Sequence, residues 1–569
     1  MYIIVNPRLA TAMRLWMSVF FLCVSSVSSE FNKGEWKEFK IKQGPVRGYR
    51  DSSGELWIFR NIPYATAPAD KNKFKAPLPP PTWTEPLDSV DKRIVCPQFY
   101  EENIVKDAII QENCLIANIY VPDTKKENLS VLVYVHGGAF QVGYGDWLNL
   151  RNLMRYEDFI LVNFNYRLGI HGFLCLGTAD VPGNAGMKDQ VALLRWVQKN
   201  IQNFGGNPND VTISGYSAGG SSVDLLMLSK AAEGLFHKVI PESGASLLAF
   251  TVQSDPLSIA KNHAKALNFT DVDNIQALEE FYKTLSYDIL TADEFFLNED
   301  STFTFSPCVE NDYWDGAFLT KSPLTILKTG DYKKVPVLFG FANMEGLMRI
   351  DLFDMWKDRM NEKFSDFLPA DLKFESEEEK EKAANEIKEF YFGDKPVDTD
   401  TILHYVDYFS DVLFVQGALW VAKLHVEAGH DQVYLYEYSF VDESTPVVPF
   451  TNERGAMHVA QSFAVADGFN LTTNNKDVIS EEYKKMKKII RGIWHDFIIT
   501  GKPVPKGSPL PAWPPIGAGN SPYMSLGQKL ELGNAIAPER FNYWQTIYQE
   551  YYKEPIPPPY SPPTLHIEL

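Results

Sequence analysis

The sequence predicts an α/β fold, a single domain on a large central, mostly parallel sheet flanked by helices. Three observations predict it. Apolar, β-branched runs at residues 115–121, 131–135, 160–164 and 211–214 read as buried strands. Between the last two, Val191, Leu194, Trp196, Val197 and Ile201 recur at helical spacing within residues 186–204. That strand–helix–strand order suits parallel neighbours. Finally, Gly215-Tyr216-Ser217-Ala218-Gly219 joins the strand at 211–214 to a helical stretch at 220–229. A Gly-x-Ser-x-Gly turn in that context lifts its serine to the carboxyl end of a sheet, and the small flanking residues let helix and strand approach.

The remaining elements fit one domain. A β-rich region starts at 56–64, a proline loop covers 77–81, and further strands are expected at 335–341 and 433–438. The Glu/Lys-rich run 375–389 reads as a solvated surface helix, with Ser376 and Glu379 spaced as a capping box. No internal repeat or interdomain linker is visible. The chain has 569 residues, 45% hydrophobic and 22% charged, which is ordinary globular composition. Its net charge of −19 repels phosphate backbones and argues against a nucleic-acid partner.

Arg8 and Arg14, the apolar run 15–27, and small residues Val27 and Ser29 read as a signal peptide over 1–29. The expected organisation is then 1–29 signal, 30–554 folded domain, and 555–569 a proline-rich, extended tail. No later run has the ~20 apolar residues of a membrane span, so no stable membrane insertion is expected. Of five cysteines, Cys23 leaves with the signal. Cys96 and Cys114 are close enough in sequence to close a small loop in an oxidising lumen. Cys175 and Cys308 read as buried free thiols, with pairing to each other left open. Asn-x-Ser/Thr sequons at Asn128, Asn268 and Asn470 fit a lumenal route.

Acyl transfer through a serine needs a base, an acid that orients it, and donors for the oxyanion. His136-Gly137-Gly138-Ala139-Phe140 follows the strand at 131–135, and glycines there let backbone N–H groups face a substrate without a blocking Cβ. Gly137, Gly138 and Ala218 are the expected oxyanion donors. Residues 182–190 (PGNAGMKDQ), Leu194-Arg195-Trp196-Val197 and Phe204-Gly205-Gly206-Asn207-Pro208 lead to the serine. Together with Gln111-Glu112-Asn113-Cys114-Leu115 they resemble the type-B carboxylesterase family, which includes cholinesterases, liver carboxylesterases and insect carboxylesterases. The match spans nearly all of the mature chain and looks most like an insect member, of the moth kind.

The resemblance implies the α/β-hydrolase fold and a Ser-Glu-His triad. Val337 to Gly346 carries the acid pattern and puts it at Glu345; Gly455-Ala456-Met457-His458 puts the base at His458. With Ser217 this is the chain order of that fold. Ser243 aligns with a serine that supports the triad, and Cys96–Cys114 with the family's first disulfide. Two departures stand out: Tyr216 replaces a cholinesterase glutamate, and Val459-Ala460-Gln461 replaces an acidic pair after the histidine. His136, His171, His237 and His495 read as satisfied structural groups. No metal-ligand spacing or phosphate loop appears, and no cofactor is expected. His566-Ile567-Glu568-Leu569 resembles a lumenal retrieval tetrapeptide, which favours the endoplasmic reticulum over secretion. The expected activity is hydrolysis of carboxylic esters to acid and alcohol through an acyl-enzyme, on small-molecule substrates that are broad in range or apolar. The rivals are a non-catalytic binding protein on this fold and an acyltransferase or lipase using the same triad. Oligomeric state is left open.

Overall fold

The apolar runs become the middle of one thirteen-stranded sheet. The computed structural model describes residues 32–89, 93–99, 108–291, 295–313, 316–466 and 479–559. The signal segment, Asn470 and residues 566–569 lie outside them.

In chain order the main strands are β1 (Asn32–Ile41), β2 (Gly44–Arg50), β3 (Leu56–Pro63), β4 (Ile116–Pro122), β5 (Leu129–Val135) and β6 (Phe159–Phe164). They continue with β7 (Gly206–Tyr216), β8 (Lys238–Glu242), β9 (Val337–Ala342), β10 (Val433–Tyr438), β11 (Tyr523–Leu526) and β12 (Leu530–Gly533). Their order across the sheet is β1-β2-β3-β4-β6-β5-β7-β8-β9-β10-β11-β12, with Leu87–Asp88 added beside β2. From β6 to β11 every neighbouring pair is parallel. The β1–β4 side and the β11–β12 end are antiparallel.

Every residue of β5, β6 and β9 is buried, because helices cover both faces of the parallel centre. This is why these strands read as continuous apolar runs. Helix α1 (Ala185–Asn200) carries the chain from β6 to β7 and tightens into Ile201–Phe204 before the strand. Helix α2 (Ala218–Leu228) leaves β7 at the serine and is buried throughout. Helix α3 (Glu377–Phe392) matches the Glu/Lys-rich run. The Ser376 hydroxyl accepts the Glu379 N–H at 3.1 Å, but the Glu379 carboxylate takes the N–H of Glu375, one residue outside the expected box. Helix α4 (Ala460–Val465) follows the candidate base. Helix α5 (Glu481–Thr500) buries Met486, Ile490, Ile493, Trp494 and Phe497, one stripe at helical period.

Cys96 and Cys114 are bonded. So are Cys175 and Cys308, which corrects the free-thiol expectation. Their sequence separation of 133 hid the pairing. Locally it depends on Gly183 (φ +109°), whose Cβ, were there one, would lie 2.7 Å from each sulfur. A loop of that length confers roughly 4–5 kcal/mol by restricting the unfolded chain. Cys308→Ala is therefore expected to lower the melting temperature by several degrees in a thermal scan with Cys96–Cys114 intact. An unchanged midpoint would show that this link is not formed in the folded protein.

Asn128 and Asn268 are exposed, in left-handed backbone (φ 56° and 64°).

Candidate active site

Strand β7 ends at Tyr216, and α2 begins at Ala218. Ser217 between them has φ 55° and ψ −127°, a strained backbone for a residue with a Cβ. The surroundings over-determine it. A Cβ on Gly215 would lie 2.5 Å from the Gly219 backbone, and one on Gly219 2.2 Å from the Val135 carbonyl oxygen. The Ser217 N–H donates to the Glu242 carbonyl at 2.8 Å. Only a turn flanked by glycine fits here, and it holds the hydroxyl at the carboxyl end of the parallel strands, where open α/β sheets place their ligands.

Two other loops converge on that point. Glu345 opens the helical turn after β9, and His458 precedes the left-handed Val459 (φ 59°) that starts α4. His458 Nε2 lies 2.9 Å from Ser217 Oγ, and its Nδ1 is hydrogen-bonded to Glu345 Oε2. Glu345 Oε1 accepts the Ser243 hydroxyl at 2.5 Å and the Ala342 N–H at 2.8 Å. Glu345 is fully buried and His458 3% exposed, so no water competes for the carboxylate. Gln461 donates to Ser243 Oγ at 2.7 Å. A serine hydroxyl has one proton, and here it goes to Glu345 while the amide supplies the other bond. An acid at position 461 could not donate that bond in its ionised form.

Gly137 and Gly138 follow β5 after His136. A Cβ on Gly137 would meet the Tyr216 carbonyl at 2.6 Å, and one on Gly138 (φ +102°) the Val142 carbonyl at 2.0 Å. Ala139 and Phe140 are also left-handed (φ 56° and 61°), and the Gly138 carbonyl accepts the Gln141 and Val142 N–H groups at 2.9 Å each. Gln141 Nε2 in turn donates to the Phe303 and Phe305 carbonyls. The N–H groups of Gly138, Ala139 and Ala218 meet no carbonyl among the described residues. Burial drives the Tyr216 hydroxyl well above its usual range.

Several contacts here carry no sequence motif. The Phe414 ring stacks on His458 with centroids 4.2 Å apart, and Phe250 and Phe303 continue the aromatic wall at 5.6 and 4.7 Å. An apolar cavity of about 230 Å³ opens beside residues 455–457. Beneath the elbow, Glu242 is fully buried, and burial pushes its carboxyl up to about 7. The folded pKa thus lies above the ordinary 4.5, so its contribution to stability is present below that value and lost as pH rises through about 7. Glu242→Gln is expected to raise the melting temperature progressively relative to the native chain between pH 5 and 8. A constant difference across that range would contradict this.

The other histidines are structural, though not all are satisfied. His136 Nδ1 lies 2.8 Å from the Gly137 oxygen, its ring stacks on Tyr166, and burial lowers its pKa to about 4. His237 accepts the Val211 N–H, and His495 meets Asp158 and Asp496. His171 departs from expectation. It is buried with no hydrogen-bond partner on either ring nitrogen among the described residues, and burial holds its pKa at about 3. Among the described residues no group of three or more His, Cys, Asp or Glu is placed to hold a metal, and no helix is long and apolar enough to cross a membrane.

The geometry has close counterparts. The carboxylesterase family profile matches residues 36–544. Esterase FE4 of Myzus persicae is 31% identical over 504 residues, covering 84% of this chain and 86% of the relative. Venom carboxylesterase-6 of Apis mellifera is 30% identical over 555 residues, covering 91% and 96%. Juvenile hormone esterase of Manduca sexta, solved with OTFP covalently attached, superposes with a TM-score of 0.79 at 28% identity, covering 90% of this chain and 100% of that one. The chain belongs to the carboxylesterase family, and it is a carboxylic ester hydrolase.

Proposed function

We propose that Ser217, His458 and Glu345 carry out the hydrolysis. Ser217 Oγ attacks the ester carbonyl carbon, and His458 Nε2 takes the hydroxyl proton. The tetrahedral intermediate collapses, and the same proton passes to the departing alkoxide, which leaves as the alcohol. Water then attacks the acyl-serine with His458 again as base, releasing the acid. Glu345 holds Nδ1–H and so keeps Nε2 as the acceptor facing Ser217. The oxyanion falls to the N–H groups of Gly137, Gly138 and Ala218, none of which meets a carbonyl among the described residues. The observation that carries this reading is the single imidazole bridging Ser217 Oγ and Glu345 in a dry setting.

Esters of apolar acids are the proposed substrate class, supported by the aromatic wall from Phe414 to Phe303 and by relatives such as the juvenile hormone esterase of Heliothis virescens. Two disulfides support a lumenal route, and retention through residues 566–569 is proposed with it. A fluorophosphonate probe should label the Ser217 peptide stoichiometrically and stop turnover of p-nitrophenyl esters, with kcat/KM rising from acetate to hexanoate. Labelling at another residue sinks the mechanism, and a falling series sinks the substrate class. Secretion unaffected by deleting His566–Leu569 would argue against retention.

A further inference from the structure

Glu242 and Ser243 are adjacent at the end of β8, and both reach α4, the short helix that starts two residues after His458. Ser243 is met by Gln461; Glu242 is met by Ser462. Ser462 Oγ donates to Glu242 Oε2 at 2.7 Å, and Ser214 Oγ, on the elbow strand β7, donates to Oε1 at 2.9 Å. The Glu242 backbone is committed as well. Its carbonyl accepts the Ser217 N–H, and Gly220 of α2 packs so closely that a Cβ there would lie 2.7 Å from the same oxygen. One residue therefore touches the strand before the nucleophile, the nucleophile's own N–H, the helix after it and the helix after the base.

We propose that Glu242 is a positioning residue for the reaction, latching α4 to β7 through Ser462 and Ser214 so that His458 stays in line with Ser217. The proposal rests on the triad reading above.

The chemistry around the carboxyl supports a latch over an ion-pair role. Glu242, Ser214 and Ser462 are all at most 1% exposed, and no cation pairs with the carboxyl among the described residues. The groups facing it from the packed elements are the hydroxyls of Ser214 and Ser462, the rings of Tyr134, Tyr216 and Tyr436, and Trp494 of α5. Burial without a counter-charge raises its pKa to about 7, so near neutrality it exists in both forms. Serine hydroxyls rotate, so each form keeps two hydrogen bonds. The latch works through hydrogen bonds, and an amide should replace it.

The test uses the whole protein and p-nitrophenyl butyrate. Ser462→Ala and Glu242→Leu are expected to lower kcat by about 10- to 100-fold, since small misplacements of a catalytic group cost that much, with KM within about threefold. Glu242→Gln is expected to keep kcat within about threefold, because its amide both donates and accepts. Glu242→Leu should melt no lower than the native chain at pH 8, which separates positioning from folding. If it does not fold, Ser462→Ala decides. The latch is overturned if Ser462→Ala keeps kcat within twofold of the native value, if the loss is confined to KM, or if Gln is as impaired as Leu. Substantial turnover by Ser217→Ala would instead remove the triad reading, and the two failures are told apart by running that variant alongside.

Discussion

Ser217→Ala is expected to lower kcat/KM for an aryl ester by about 10⁴-fold or more, since removing a nucleophile of this kind leaves only what substrate binding and the oxyanion donors supply. The fold should not notice. Ser217 Oγ has one hydrogen-bond partner, His458 Nε2. The backbone strain at φ 55° is no added obstacle to alanine, because serine already places the same Cβ there. The Ser217 N–H to Glu242 bond does not depend on the side chain. Activity and stability therefore separate: turnover collapses while the melting temperature stays within about 1 °C, a shift of roughly 1 kcal/mol for a chain of this size. A variant retaining more than a hundredth of native kcat/KM would place the nucleophile elsewhere. A variant that also loses its melting transition would leave the elbow as a structural turn.

How much of this was legible beforehand depended on how local the signal was. The parallel centre was readable because strands buried on both faces are continuous apolar runs, as β5 and β6 are. The outer strand β1 was not foreseen, because as an exposed edge strand it is written in Lys, Glu and Trp with little apolar alternation. The β11–β12 hairpin was missed for a similar reason: β12 is only Leu-Glu-Leu-Gly. At the site, Ser217, Glu345 and His458 each sit in a short motif, and backbone constraints force the glycines of those motifs. Phe414, Ser462 and Glu242 have no such signature. Their roles arise from β8, α4 and the π-helical turn at Asp411–Val415 meeting in space. Only helical spacing after His458 could have hinted that Gln461 and Ser462 face β8 together. The Cys175–Cys308 bond was illegible for the same reason, since nothing local joins residues so far apart.

Glu345→Gln is expected to cost about 10⁴-fold in kcat, as seen when the orienting acid of a serine triad becomes an amide. The reason lies in which oxygen is fixed. Oε1 accepts the Ser243 hydroxyl and the Ala342 N–H, so in the variant that position must remain a carbonyl oxygen. The amide nitrogen then faces His458 Nδ1, which can only accept from it. That places the imidazole proton on Nε2, pointing at Ser217 Oγ, and a protonated Nε2 cannot take the serine's proton. Stability should change little, because the variant keeps every hydrogen bond and removes a buried charge. Glu345→Asp offers the contrast: it keeps the charge but is too short to hold Nδ1, Ser243 and Ala342 at once, so it should lose both stability and rate. Steady-state kinetics with thermal melts on the two variants checks this. A Gln variant within tenfold of native kcat would mean that Phe414, stacked on the ring, and the bond to Ser217 suffice to set the tautomer, and that Glu345 is only a buried acid nearby.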